Sequence, residues 1–226
     1  MRNASKIDEN TVVTVDNSGC IGEKQLDAVY ATNEMTAYYT TRVALLEQWC
    51  AGAHPSHIFL ANFTSDSAWS DYVKGIKRAF DEIKESIPPI KGSTESNFQS
   101  LQSGLSLMMI GKLQFQLISN KESYKWHVIG KPLVGQEVID EEKHVAKLKE
   151  IYNLLKRGIV KQVWPVGSKG LRVELERIFP GRQVTCSLSL DKTSGPSTSV
   201  IVAVKENDEK YLQDYLSTPF EKIIIT

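Results

Sequence analysis

The stretch TVVTVDNSGCIGEK, which runs from Thr11 to Lys24, carries the clearest indication of the fold. Its first six residues are mostly β-branched, which predicts a β-strand that delivers Asp16 to a loop. That loop, Asn17–Lys24, is polar, contains two glycines and is closed by Asp27. An acid at the end of a strand, followed by a glycine-containing loop with a lysine, can serve a phosphate group or a metal ion.

The elements predicted after this stretch mix helices and strands without a strict βαβ order. A helix that is apolar around much of its circumference covers residues 34–51, and an amphipathic helix capped by Asp66 or Ser67 ends near Pro88. Residues 91–97 are interpreted as a polar turn segment. Further helices are predicted over residues 141–155, 166–179 and 207–216, and strands over 56–63, 104–118, 160–164, 184–190, 198–204 and 223–225.

This mixture predicts an α+β fold rather than a doubly wound parallel sheet. Polar and glycine-containing turns near residues 119–123 and 130–132 favour a division into two lobes. We therefore expect an N-terminal lobe over residues 1–125, built on a mixed sheet with helices, and a smaller α+β lobe over residues 126–226.

Composition and charge exclude several classes of protein. The 226 residues are 41% hydrophobic and 24% charged, which is typical of a folded globular chain. The 27 Lys and Arg residues balance the 27 Asp and Glu residues, which argues against a nucleic-acid binder. The three cysteines, Cys20, Cys50 and Cys186, are an odd number without metal-ligand spacing and indicate reduced thiols. No apolar run approaches the roughly 20 residues of a membrane span, so we expect a cytoplasmic protein.

The common nucleotide and metal signatures are absent from the sequence. Gly111-Lys112 is followed by Leu113 rather than by Ser or Thr, so it does not form a P-loop, and there is no G-x-G-x-x-G pattern. His54 and His57 lack the glutamate and the helical spacing of a zinc protease, and we interpret them as two histidines of a loop.

Three polar segments are then candidates for chemistry, although each is individually compatible with a solvated turn. The first contains Asp16 and Asp27, which could bind a metal ion, and Lys24, which could reach a phosphate. The second is Gly92–Asn97, where small residues let the backbone approach a phosphate and Glu95 or Asn97 offers oxygen ligands.

The third segment is Gly167–Gly170, which opens the helix predicted over residues 166–179. Backbone N–H groups at a helix N-terminus favour anions, so Gly167, Ser168 and Lys169 are candidate contacts of a nucleotide.

The order of these segments resembles the aminoimidazole ribonucleotide (AIR) synthetase superfamily, which includes thiamine-monophosphate kinase and selenophosphate synthetase. The resemblance lies in Val15–Lys24, in the helix and turn Ala44–Pro55, and in the glycine-threonine-acid motif Gly92–Asn97. In the second half, Pro165–Gly170 and Thr193–Thr198 look more specifically like the small bacterial α-ribazole kinases.

The resemblance implies an ATP- and Mg²⁺-binding lobe that forms a homodimer, with the apolar helix and the strands of the N-lobe at the interface. It implies transfer of the ATP γ-phosphoryl group to the ribose 5′-hydroxyl of α-ribazole. Two alternatives stay open: a kinase or synthetase of the same superfamily with another small substrate, and a non-catalytic nucleotide-binding protein.

By residue, the resemblance implies that Asp16, Asp27 and Glu95 handle metal or phosphate, with Asp16 and Lys24 as the catalytic pair. The implied phosphate contacts are Lys24, Gly92, Ser93, Thr94 and Asn97. This chain departs from the larger relatives in two places, since it has Lys91-Gly92 where they have a paired glycine and Asp16-Asn17 where they have paired acids.

Overall fold

The computed structural model describes residues 2–226, which form two compact units, residues 2–114 and residues 115–226. The lobe division expected after residue 125 falls within the second unit, at the start of the strand Lys125–Ile129. The mixed α+β fold expected from the sequence is confirmed.

The first unit is a five-stranded mixed sheet with two helices. Its strands are β1 (Ser5–Lys6), β2 (Thr11–Gly19), β3 (Ile21–Gly22), β4 (Val29–Tyr30), β5 (Ala53–Asn62), β6 (Ile90–Thr94) and β7 (Gly104–Leu113), and its helices are α1 (Asn33–Cys50) and α2 (Trp69–Ile83). The sheet has the order β1-β2-β7-β5-β6, in which only β5 and β6 are parallel, and β3 and β4 form a separate short pair.

The helices of this unit cover one face of the sheet. Helix α1 packs against β2, β5 and β7, and α2 packs against α1. The apolar positions of α2 that predicted an amphipathic helix are buried, among them Tyr72, Ile76 and Phe80. The two helices approach closely at Gly75, where a Cβ atom would lie 2.1 Å from the backbone oxygen of Glu34. A larger residue at this position would push the two helices apart.

The second unit is an antiparallel sheet with four helices. Its strands are β8 (Lys125–Ile129), β9 (Val160–Pro165), β10 (Val184–Thr185), β11 (Val200–Val204) and β12 (Phe220–Ile225), in the order β10-β12-β8-β11-β9. Its helices are α3 (Glu137–Asp140), α4 (Leu148–Lys156), α5 (Gly170–Ile178) and α6 (Glu209–Tyr215). Trp126, Leu171 and Ile201 belong to its core. Among residues 2–226, none of the helices combines the length and the apolar character that crossing a bilayer requires.

Several boundaries differ from the sequence predictions. Strand β2 continues three residues beyond Asp16, because Asn17, Ser18 and Gly19 pair with β7. Backbone pairing here overrides the low strand propensity of these residues. Helix α2 ends at Ile83 rather than near Pro88, since Lys84 adopts a left-handed conformation.

The second unit also differs from the predictions in two segments. Helix α4 begins at Leu148, because residues 142–144 form a short 3₁₀ turn of their own. The strand predicted over residues 184–190 is limited to Val184–Thr185. The apolar residues Cys186, Leu188 and Leu190 that suggested a strand pack against the core instead.

Candidate functional site

Two connections of the first unit meet at one end of its sheet. The first joins β2 to α1 and contains Lys24 and Asp27, and the second joins β6 to β7 over residues 95–103. They start from neighbouring strand ends, since Gly19 of β2 pairs with Gly104 of β7. The backbone N–H of Cys20 donates to the Ser103 oxygen at 2.9 Å. The first two predicted segments therefore lie at the same end of the sheet.

Asp27 joins these two connections through both of its carboxylate oxygens. Oδ1 accepts a hydrogen bond from the Ser103 backbone at 2.7 Å. Oδ2 accepts from the Ser103 hydroxyl at 2.7 Å and from the Lys24 backbone at 2.9 Å. Burial alone would raise the pKa of Asp27, but the bonds from Ser103 and Lys24 outweigh it and hold the pKa below the usual value.

Lys24 forms a second link between the same connections. Its Nζ donates to the backbone oxygen and to the hydroxyl of Ser100, both at 2.6 Å. A lysine ammonium has three donors, so one N–H is left for an anion. The Ser100 hydroxyl in turn donates to the Thr64 backbone oxygen at 3.1 Å, which extends the network to the end of β5.

The residues that hold this end of the sheet together were missed by the sequence analysis. Thr64 Oγ1 accepts from the Gly104 backbone at 2.9 Å, and Asn62 Nδ2 donates to Thr94 Oγ1 at 3.1 Å. The Asn62 backbone oxygen accepts from the N–H of Glu95 at 2.8 Å. Isolated Ser, Thr and Asn residues carry no pattern in one sequence, and only the strand order brings them together.

The interpretation of residues 91–97 as a turn is wrong for its first half. Residues Ile90–Thr94 form β6, an edge strand parallel to β5, and only the residues after Thr94 form a loop. A Cβ atom at Gly92 would lie 1.9 Å from the Leu60 backbone oxygen, so this glycine is required by strand packing whether or not it contacts a phosphate. Beyond the strand, Glu95 Oε1 accepts from the Asn97 backbone at 2.7 Å in an exposed turn.

Asp16 lies on β2, on the face that α1 covers. Thr14, two residues earlier on the same face, donates its hydroxyl to the Ala44 backbone oxygen at 3.3 Å. Burial is the largest influence on Asp16 and raises the pKa of its carboxyl to about 7, against the hydrogen bond from Asn17 and the charge of Arg2, which lower it. A carboxyl group with this pKa exchanges a proton near neutral pH, and a nearby cation strongly stabilises its charged form.

The three acids expected to bind metal are not gathered into one cluster. Within residues 2–226, no group of three or more His, Cys, Asp or Glu side chains is arranged to hold a metal ion. The roles of Asp16, Asp27 and Glu95 as metal ligands thus stay predictions.

The third predicted segment belongs to the second unit, at the start of α5. The Gly167 oxygen accepts from the backbone of Gly170 at 3.1 Å and of Ser194 at 3.2 Å, and the Thr193 hydroxyl donates to the Ser168 oxygen at 2.9 Å. Gly170 has φ +74°, and a Cβ there would lie 2.8 Å from the Leu190 oxygen. Residues 165–170 and 193–198, the two segments that resemble α-ribazole kinases, therefore contact each other.

The face of the first sheet opposite the helices carries a row of exposed apolar side chains. Val15, Met108 and Phe59 are cross-strand neighbours on β2, β7 and β5, and their exposed fractions are 47%, 39% and 39%. The expectation that α1 supplies a dimer interface is wrong, because most of this helix is buried within its own unit.

Solved structures show what this arrangement of strands and helices is similar to. No family model matches the chain, and no curated protein matches it. AaThiL complexed with AMPPCP and TMP superimposes with a TM-score of 0.64 at 11% identity, covering 97% of this chain and 82% of that chain.

Two further structures give the same result. The thiamine-monophosphate kinase of Stenotrophomonas maltophilia has a TM-score of 0.60 at 17% identity, covering 100% of this chain and 84% of that chain. HypE in the HypE–HypF complex has a TM-score of 0.62 at 13% identity, covering 98% of this chain and 86% of that chain. The fold is AIR-synthase-like. At these identities the AIR-synthase-like fold is established, and it fixes neither substrate nor reaction.

The raised pKa of Asp16 predicts a pH-dependent cost to stability. The native carboxyl, with a pKa of about 7 against an ordinary 3.8, binds more protons than the unfolded one between those values. The free energy of unfolding therefore falls as pH rises from about 4 to about 7. We expect Asp16→Asn to raise the melting temperature at pH 8 and to have little effect at pH 5. Asp81→Asn, at an exposed position of α2, is the control. Equal shifts for Asp16→Asn at both pH values would contradict the assignment.

Proposed function

We propose that this protein is an ATP-dependent small-molecule kinase that phosphorylates the ribose 5′-hydroxyl of α-ribazole. The observation that carries the proposal is the joining of two connections at one end of the first sheet, through Asp27 with Ser103 and Lys24 with Ser100, on an AIR-synthase-like scaffold. A similar structure, AaThiL, is complexed with AMPPCP, a methylene analogue of ATP. The choice of α-ribazole rests on the resemblance of residues 165–170 and 193–198 to α-ribazole kinases.

The proposed reaction requires this chain to position the reactants and to neutralise charge on the phosphoryl group. The acceptor oxygen forms a bond to the γ-phosphorus, the bond from that phosphorus to the β,γ-bridging oxygen breaks, and ADP leaves. The hydroxyl proton passes to a base, and Asp16 is the carboxylate whose pKa, about 7, suits that role at neutral pH. Lys24 uses its third N–H for a phosphate oxygen while Ser100 fixes its position.

The donor set at this end of the sheet suits Mg²⁺, because hard cations take carboxylate and other oxygen ligands. Asp16, Asp27 and Glu95 stay the proposed ligands, although the described residues do not gather the three into one cluster. Asp27 already accepts three hydrogen bonds and would orient the two connections. When bound, the ion would neutralise charge on the transferred phosphoryl group. Gly167, Ser168 and Lys169 of the second unit are kept as proposed contacts of the nucleotide.

We also propose that the protein is a homodimer, formed through the exposed row of Val15, Met108 and Phe59 rather than through α1. Soluble monomers rarely leave a contiguous apolar surface of this kind uncovered. A sheet face can pair with its own copy around a two-fold axis, which closes the assembly. The balanced charge and the free cysteines fit a cytoplasmic enzyme without nucleic-acid or membrane partners, and we retain that proposal.

Ligand-dependent melting and turnover test the proposed activity. We expect Mg²⁺ with ATP to raise the melting temperature more than ATP or Mg²⁺ alone, because a ligand of the native state stabilises it. We expect ATP consumption with α-ribazole, and little with other nucleosides. Asp16→Asn should abolish turnover without lowering the melting temperature.

The outcomes separate the alternatives. Stabilisation by Mg²⁺-ATP without turnover on any nucleoside would favour a non-catalytic nucleotide-binding protein. Turnover with a different acceptor would indicate a kinase that acts on another substrate. The absence of any thermal shift and any turnover would contradict the proposal as a whole.

Light scattering at micromolar concentration tests the dimer. We expect a mass of twice 25.3 kDa for the wild-type chain and of one chain for Met108→Lys, because a lysine in the centre of the apolar row would be buried without a partner. Ile224→Lys, at an exposed apolar position of the second unit, is the matched control and should stay dimeric. A monomeric wild type would contradict the proposed interface.

A further inference from the structure

A cavity of about 1010 Å³ lies within the second unit, and none of the proposed nucleotide contacts lines it. Its lining comes from three segments of the chain: residues 119–126, residues 178–182 and residues 222–225 of β12. Pockets of this size hold small organic ligands. We call this cavity the basic groove, after the side chains described next.

The charged side chains around the basic groove are mostly cationic. One acid, Glu122, lines it together with four cations, which are Lys121, Lys125, Arg182 and Lys222. The chain as a whole carries 27 residues of each charge sign, so this lining is a local excess of positive charge. A concave surface lined by one sign of charge attracts ligands of the opposite sign.

Hydrogen bonds tie the segments of the groove to one another. The Trp126 indole N–H donates to the Lys121 backbone oxygen at 3.0 Å, and Lys121 Nζ donates to the Ile178 backbone oxygen at 2.7 Å. A lysine ammonium has three N–H donors, so Lys121 keeps two for a ligand. Its ammonium is therefore held in place and is still able to bind an anion.

The ion pairs that the other cations form are weak competitors for an anion. Arg182 pairs with Glu122 at 3.3 Å, but the two side chains are 48% and 80% exposed. The remaining two lysines pair with acids outside the lining, Lys125 with Glu206 and Lys222 with Glu209. Exposed ion pairs contribute little to stability, so a bound anion can replace the contact between Arg182 and Glu122.

Apolar side chains line the same groove. Trp126, Phe179 and Ile223 belong to the core of the unit, and the rings of Trp126 and Phe179 pack edge to face with centroids 5.1 Å apart. Ile224 is 58% exposed in the same lining. A ligand that uses both features carries a charged group and an apolar body, because covering Ile224 removes apolar surface from water.

We propose that the basic groove binds a small phosphate monoester with an apolar body, such as an aryl phosphate. The phosphate group contacts Lys121 and Arg182, and the ring lies on Ile224. A phosphate monoester carries about two negative charges near neutral pH and has three strong acceptor oxygens, which suits several cations better than a single carboxylate does. This site goes beyond the proposed kinase activity and does not depend on it.

Phenyl phosphate is the probe that tests the groove, titrated into the isotope-labelled full chain and followed by proton–nitrogen correlation NMR. We expect the Trp126 indole resonance to move, because its hydrogen-bond acceptor is the backbone of Lys121. We expect Lys121→Gln and Arg182→Gln each to weaken binding about tenfold, since each removes a charge-assisted hydrogen bond. Lys210→Gln removes an exposed lysine of the same unit outside the lining and should change the dissociation constant less than about twofold.

Two simpler probes separate the contributions of charge and ring. Inorganic phosphate lacks the ring and phenol lacks the charge, and we expect both to bind more weakly than phenyl phosphate. Ile224→Ser should weaken the binding of phenyl phosphate and leave that of inorganic phosphate unchanged. Inorganic phosphate that binds as tightly as phenyl phosphate would overturn the assignment of an apolar-bodied ligand.

The location of binding is decided by the variants. A Trp126 resonance that does not move, or equal affinity of wild type, Lys121→Gln and Arg182→Gln, overturns the groove as a site. Lys24→Gln, in the first unit, should leave the affinity for phenyl phosphate unchanged. If Lys24→Gln weakens binding and Arg182→Gln does not, the probe occupies the proposed nucleotide site, which overturns the groove and supports the proposed function.

Discussion

The carboxylate of Asp27 is the contact on which the candidate site depends. It accepts hydrogen bonds from the backbone and hydroxyl of Ser103 and from the backbone of Lys24, and so fixes two long connections to each other. Gly22 makes this approach possible, because a Cβ atom there would lie 2.2 Å from the Ser103 hydroxyl. The bonds from Lys24 to Ser100 and from Cys20 to Ser103 join the same connections, and Asp27 adds three hydrogen bonds at the point where they lie closest.

Two acids of the same unit lie partly or wholly out of water, at a cost to the fold. Asp16 is half-buried and has a raised pKa, and Glu47 is buried and held by Arg2 and Asn3. Neither acid is needed to fill the core, which Leu45, Ile58 and Leu107 already occupy. Acids retained in such places indicate a site where charge is used.

Much of the fold followed from local patterns in the sequence. The amphipathic spacing of α2 and the long apolar character of α1 predicted both helices within a few residues. The predictions that were wrong concern segments whose structure depends on pairing with a distant strand. Asn17–Gly19 is strand because it pairs with β7, and Ile90–Thr94 is an edge strand because it pairs with β5. The strand predicted over residues 184–190 is too long for the opposite reason. Beyond Thr185 its apolar residues pack against the core but do not pair with a neighbouring strand.

The candidate site was only partly predictable for the same reason. Asp16, Lys24 and Asp27 stood out as acids and a lysine beside glycines in a loop. Ser100, Ser103 and Thr64 did not, because a single hydroxyl has no recognisable spacing and acquires a role only when distant strands are adjacent. Arg2 was equally invisible, since the partner that buries it lies on α1.

The central claim is that the two connections joined by Asp27 act as one nucleotide site, and the Ser103→Ala variant tests it most directly. The substitution removes the hydroxyl that donates to Asp27 and leaves every proposed ligand of nucleotide and metal in place. Asp27 is half-buried and keeps its bonds from the backbones of Ser103 and Lys24, so the loss of this one hydrogen bond costs about 1 kcal/mol. The account predicts a several-fold weaker dissociation constant for Mg²⁺–AMPPCP, with Ser96→Ala, an exposed serine of the same loop, unchanged. An unaltered constant for a folded Ser103→Ala protein would contradict it.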